Sequence, residues 1–581
     1  MPLLLRLCFW ACDFMNTTDV FSEQNDLKED QDIQEELEDE SHSNINLPIQ
    51  KLVENYIDEI ITTEKNFVPI RVDEIVSRFA RFYETIRKII DWKDDNVLRR
   101  GAIERILKRI LFPKLTGISV QDIKTEKVAE TLTVELIRGG HLPNDAIPID
   151  RINAVSLAME KYVYFLRHVS NYKRLEVKKR INFTSFVLEI ASCEFEEILT
   201  NPVKEYGLIE TMTDLVEERV SVVPEKDMTP EDKRKFIFIA VCRALYGLDD
   251  NFISYQLLQQ KYPEWQNPDE DEVRKIAEEL PVVWKEISEE LKSRVIGKFE
   301  VIAEQVDTTF VLIGDILEKL KDDPEKIVET IKDKSSFVSE LKKVYEKRYK
   351  TLKTRLFRLA IFSTLSVFLS NWFLFFIVEV PLARLFYDGF SITAAIVDLL
   401  LPTAVMFFLV IIIKPPKKDN LDKVVDLSLS FVYKDVDYRN YRVELKKHRP
   451  SLFRLILSAL YIYTMLLFFA AIGWIFHTFE LPLTSVMLNT FTIALTVFAA
   501  LTIKNKSKEL SVDEQMSVSD FILDIFSVPV AKVGSLFAAK WREYNVIAVL
   551  FNFVIETPFA IILNFIQEWR EFIKERRAEI H

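Results

Sequence analysis

Four stretches of the chain, 359–378, 390–413, 455–476 and 483–503, are apolar around the helix for at least twenty residues each, with very few polar interruptions. At 1.5 Å per helical residue such a run covers the roughly 30 Å hydrocarbon core of a bilayer. Core helices of soluble proteins are seldom apolar on every face over that length. The sequence therefore predicts an integral membrane protein of all-α class, with a four-span membrane domain over 359–503.

The flanks of these stretches set an orientation. Residues 342–358 carry eight basic side chains and one acidic one, and 414–454 carries eleven basic ones. Lys504, Lys506 and Lys508 follow the fourth stretch, whereas the two opposite loops hold Arg384 beside Glu379, Asp388 and Glu480. The positive-inside rule then places the central loop and both chain ends in the cytoplasm, in a plasma or inner membrane.

The spans read as one hairpin used twice, in parallel. Leu356-Phe357-Arg358-Leu359 opens the first pair and Leu452-Phe453-Arg454-Leu455 the second. The first is expected to turn at Glu379-Val380-Pro381 and the second at Glu480-Leu481-Pro482. A proline lacks the N–H that the first helical turn leaves unused, and a glutamate ahead of it suits the positive end of the next helix. A third copy of the motif, Glu556-Thr557-Pro558, lies in the C-terminal segment 515–581. There the apolar positions favour one face, so amphipathic interfacial or re-entrant helices are expected, broken at Pro529 and Gly534. A fifth and sixth span, or a soluble helical hairpin, are the alternatives.

Asp398 stands well inside the second apolar stretch. An ionisable group in hydrocarbon costs enough free energy that it marks a functional site by default. Asn371 in the first span and Asn489 in the fourth are its candidate polar partners. The pairing reads either as hydrogen-bonded helix glue or as a proton or cation site.

The first part of the chain differs in kind. Residues 1–45 form an acidic leader: the first fifty residues hold twelve carboxylates and two basic side chains, most of the chain's net charge of −13. Such a stretch buries too little apolar surface to offset its ordering entropy. From 46 to 340 apolar residues recur at spacings of three and four, with no long alternation of period two. This predicts a cytoplasmic all-helical domain. A stalk helix over 337–378, capped by Ser335 or Ser336, is expected to run unbroken into the first span, packed along Val338, Leu341, Tyr345, Leu352 and Leu356.

Glycine is scarce, with 11 in 581 residues, which leaves little room for phosphate loops and tight turns. The four cysteines and six histidines show no metal-ligand spacing, and no nucleotide-binding or hydrolase motif occurs. No metal and no cofactor are expected. The basic clusters flank apolar spans, where anionic headgroups explain them better than nucleic acid does. The expected partners are the lipid bilayer and a protein docked on the helical domain. A non-enzymatic membrane-anchored scaffold is the leading expectation, with a transporter or channel component using Asp398 as the alternative and an unfamiliar membrane enzyme as the third.

Overall fold

The computed structural model describes residues 45–63, 70, 95–116, 123–143, 147–169, 177–386, 392–445, 451–512 and 518–544, with positions 569, 572, 573 and 576. It is 83% helical, so the protein is nearly all-α.

A helical body comes first, opening with α1 (Leu47–Thr63), α2 (Asp95–Thr116), α3 (Thr125–Arg138), α4 (Ile149–Val169), α5 (Val177–Thr200) and α6 (Val203–Arg219). In α3 the buried residues Val128, Ala129, Leu132, Leu136 and Ile137 follow the helical period that makes one apolar face. The helix ends where Gly140 takes φ 74°, which lets the His141 amide donate back to the Leu136 carbonyl at 2.9 Å.

After the strand β1 (Val220–Val223) come α7 (Pro230–Tyr246), α8 (Asp250–Lys261), α9 (Glu270–Glu290), α10 (Ile296–Lys319) and α11 (Pro324–Lys332). Their starts follow capping chemistry: Thr229, Asp249, Asp269 and Asp323 each accept an amide of the first turn. α10 is apolar on most sides, with Ile302, Val306, Phe310, Ile313 and Leu317 all buried, and it sits at the centre of the body.

The stalk is α12 (Lys334–Leu374), 41 residues long. Its N-cap is Asp333 rather than either serine. The carboxylate accepts from the amides of Ser335 and Ser336, satisfying two donors where a hydroxyl would serve one. A π-helical turn (Phe375–Glu379) and α13 (Val380–Phe386) carry the helical path onward. α14 (Ile392–Ile412) follows.

The chain then returns to the body. α15 (Asn420–Val432) buries Val424, Val425, Phe431 and Val432 there. The strand β2 (Tyr441–Glu444) pairs in parallel with β1, Val220 opposite Tyr441. Two strands thus occur where the sequence led us to expect none, because four residues are too short for alternation to register. The segment 414–445, read as a loop, belongs to the same apolar core as residues 45–356, and Ile503, Leu510 and Val512 join that core as well.

α16 (Ser451–Thr478), α17 (Leu483–Ser507) and α18 (Val518–Tyr544) follow. A second, smaller cluster packs Ile472 and Phe476 of α16 with Ile493, Ala494 and Val497 of α17 and Val530 and Ala531 of α18. Elsewhere α13, α14 and α16 turn large apolar side chains outward: Leu385 is 75% exposed, Ile392 80% and Trp474 72%. Apolar surface of that extent fits lipid, not water.

Among the described residues five helices are long and apolar enough to cross a membrane, including Phe521–Ala538 within α18. That segment corrects the expected breaks, since the helix runs unbroken through Pro529 and Gly534. Gly534 is there for closeness: a Cβ on it would lie 2.2 Å from the Ala494 carbonyl oxygen, so its absence lets α18 press onto α17.

Candidate functional site

Asp398 lies seven residues into α14 and is 1% exposed. Four residues on, Pro402 has no N–H to give the Asp398 carbonyl, so the helix leaves that acceptor open. Asn371 of α12 fills the gap: its Nδ2 donates to the Asp398 carbonyl at 2.9 Å and to the Leu399 carbonyl at 3.0 Å. Asn371 therefore serves the backbone at a proline site and not the Asp398 side chain.

The carboxylate has other partners. Asn489 of α17 donates from Nδ2 to Asp398 Oδ1 and to the Ser485 carbonyl, the latter at 3.1 Å. Glu379 closes the π-helical turn and is 2% exposed. Its Oε2 accepts from Ser485 Oγ at 2.8 Å, and its carboxyl lies within hydrogen-bonding reach of the Asp398 carboxyl. Asp398 Oδ2, Asn489 Oδ1 and Thr403 Oγ1 are buried without a hydrogen-bond partner. The bundle thus holds two carboxyl groups side by side, each given one donor from α17.

The motif Glu-x-Pro proves to be two different structures. Pro381 sits inside the helical path, in α13, and Glu379 is buried in the bundle rather than turned toward headgroups. Glu480 is exposed and takes φ 55°, with the Leu481 amide donating to the Phe476 carbonyl at 3.1 Å, so it ends α16 in a left-handed cap. Pro482 is the N-cap position of α17. Glu556 and Pro558 lie outside the described residues.

Glu379 is the member of the site that sequence reading missed, since the following proline drew it into a turn. The available signal was spacing. Eight residues separate it from Asn371, about two turns, which puts both on one side of the helix.

The body carries its own buried polar groups. Glu194 of α5 accepts from Lys161 Nζ at 2.6 Å, Tyr162 Oη at 2.6 Å and Trp265 Nε1 at 2.9 Å. Burial holds the Lys161 ammonium below its usual pKa and, with Glu194, lifts the Tyr162 phenol well above its own. Glu196 accepts from Arg99 and Arg100, while Glu197 accepts from Tyr206 and Tyr255. One turn of α5 thereby ties α2, α4, α6 and α8 together. Burial pushes the Cys193 thiol up, away from reactive thiolate. Among the described residues no group of three or more His, Cys, Asp and Glu side chains is placed to hold a metal ion.

Where body and membrane helices meet, a cleft of about 430 Å³ is lined by Asp315, Lys347, Arg348, Thr351, Arg355 and Glu509, among others. Glu509, just past α17, pairs with both Arg348 and Arg355 of the stalk. Asn420 of α15 donates to the Tyr345 hydroxyl at 3.0 Å and the Leu510 carbonyl at 2.6 Å. The stalk, α15 and the end of α17 are therefore pinned to each other.

No protein-family model, curated protein or solved structure matches the chain.

Proposed function

We propose that this membrane protein handles a proton or small cation at the Glu379–Asp398 pair, as a transporter or channel component. The observation that carries this reading is the second acid. A single buried carboxylate is readily explained as helix glue, but two in contact inside an apolar bundle repel each other unless a cation or a proton lies between them.

The position supports it. α12–α14 and α16–α17 are two helical hairpins that each leave the body and return to it, and the pair lies where they touch. Glu379 and Asp398 come from the first hairpin, Ser485 and Asn489 from the second. Sites at the interface of two such units, lined by irregular helix, are a recurring arrangement in transporters. The π-helical turn at Glu379 and the proline in α14 supply that irregularity.

The basic residues near Lys418 and Lys508 support a cytoplasmic position for the body. The scaffold reading has one observation in its favour: Asn371, Ser485 and Asn489 each make a hydrogen bond that also braces one helix against another.

Flux decides between the two. The native chain reconstituted in vesicles should move protons or an alkali cation down an imposed gradient, and Asp398→Asn and Glu379→Gln should each remove at least ten-fold of that rate. Native vesicles that pass no cation and no proton would leave the scaffold reading.

A further inference from the structure

We infer that the species held at the Glu379–Asp398 pair is one shared proton and not a metal cation; this rests on the ion-handling reading above. The direction of the surrounding donors carries the argument. Ser485 Oγ–H points at Glu379 Oε2, and Asn489 Nδ2–H points at Asp398 Oδ1. A metal ion between the carboxyls would need oxygen lone pairs converging on it, typically six or so for a hard cation. At these two contacts Ser485 and Asn489 present hydrogen and serve a negative charge, and Asn489 Oδ1 and Thr403 Oγ1 are the neighbouring buried oxygens left without a donor.

The remaining demand is for a donor. Asp398 Oδ2 is buried with no partner although another carboxyl stands within reach. Two carboxylates cannot hydrogen-bond to each other, whereas a carboxylic acid and a carboxylate can. One proton on the pair converts an orphaned acceptor into a donor and reduces two negative charges to one. That single charge is the one the two α17 donors stabilise. The balance is simple: a proton enters, one carboxylate becomes a carboxylic acid, and the same O–H bond breaks when it leaves. The other charged groups described at this end of the bundle, Arg384, His477 and Glu480, are exposed and do not neutralise the pair from within.

Infrared difference spectroscopy of the full chain in lipid at neutral pH tests this directly. The native protein should show a protonated-carboxyl C=O band that shifts in heavy water. Asp398→Asn and Glu379→Gln should each abolish it, because either residue left alone no longer faces a second negative charge. A band that survives in one single variant assigns the proton to one residue and overturns the sharing. An absent native band, together with a higher unfolding temperature in sodium chloride than in choline chloride, overturns the proton in favour of a metal cation while leaving ion handling intact. A band lost in both variants from vesicles that carry no flux keeps the shared proton and removes only the transport reading. Ser485→Ala, which takes away one donor without altering either acid, should shift the band and leave it present.

Discussion

Pro402 and Asn371 are coupled through a carbonyl group. Removing the Asn371 amide by Asn371→Leu strands the Asp398 carbonyl in an apolar bundle, which should cost about 1–3 kcal/mol. In a Pro402→Ala background the residue 402 amide returns to the Asp398 carbonyl, so the same substitution should cost less than half as much. Equal losses in both backgrounds, measured by unfolding in detergent, would show that Asn371 does not act through the proline gap. Asp307 in α10 is a second titrating group, outside the membrane helices. Burial lifts its carboxyl to about 7, against acceptance of a hydrogen bond from Thr308 Oγ1 at 3.2 Å. A raised acid binds its proton more tightly when folded, so its contribution is present at low pH and is lost as pH rises from about 4 to about 7. Asp307→Asn should flatten that decline and be more stable than the native chain at pH 8 by about 1–2 kcal/mol. Identical pH profiles for the two proteins would contradict the assignment. At this scale the sequence exposed Asp398, Asn371 and Asn489, since polar residues stand out in apolar runs. Glu379 stayed hidden because its proline suggested a turn, and only helical phase relates it to the others.

Helices α17 and α18 show how one residue type carries opposite meanings. In water-soluble loops glycine and proline end helices, and that rule divided α18 at Pro529 and Gly534. Inside a lipid-facing bundle the missing Cβ instead permits backbone contact, as it does between Gly534 and Ala494. Gly534→Ala should therefore separate α18 from α17 and lower stability by about 1–3 kcal/mol. Gly473 of α16 is the control, since a Cβ there meets nothing within 4 Å. Gly473→Ala should be neutral or stabilising, as alanine is the better helix former. Equal effects at both positions would argue against close packing at Gly534. The body helices were more legible, because capping residues and apolar stripes obey the same rules in sequence and in space. The strands were not, being held by tertiary pairing across more than two hundred residues between Val220 and Tyr441.

For the whole molecule, connectivity limits which face each segment can occupy. The stalk lies in the body's core as far as Leu356 before leaving it, the chain is back in the same core by α15, and residues after α17 rejoin it at Leu510 and Val512. Each excursion contains two apolar helices long enough to cross a membrane, and a crossing by each would put body, central segment and the end of α17 on one face of the bilayer and the hairpin tips on the other. The sequence suggested the same sidedness from basic flanks, but it could not reveal that the central segment is packed into the body, because a helix of thirteen residues among lysines reads as a linker. The polar pair is off-centre in this frame. Asp398 is six residues past the start of α14 and Asn489 six past the start of α17, so both stand about 9 Å below the tips. Proton exchange should accordingly be faster from the tip face than from the body face. Single cysteines placed in a cysteine-free background at the exposed positions Lys275, Lys418, Asn505 and Thr478 test the frame. The first three should react with a membrane-impermeant thiol reagent from one side of oriented vesicles, and position 478 from the other. With the orientation so fixed, acidifying only the side on which position 478 reacts should perturb the carboxyl band first. A band that responds equally fast to acid on the body side would place the route to the pair along α17 instead, past Thr492 and Thr496.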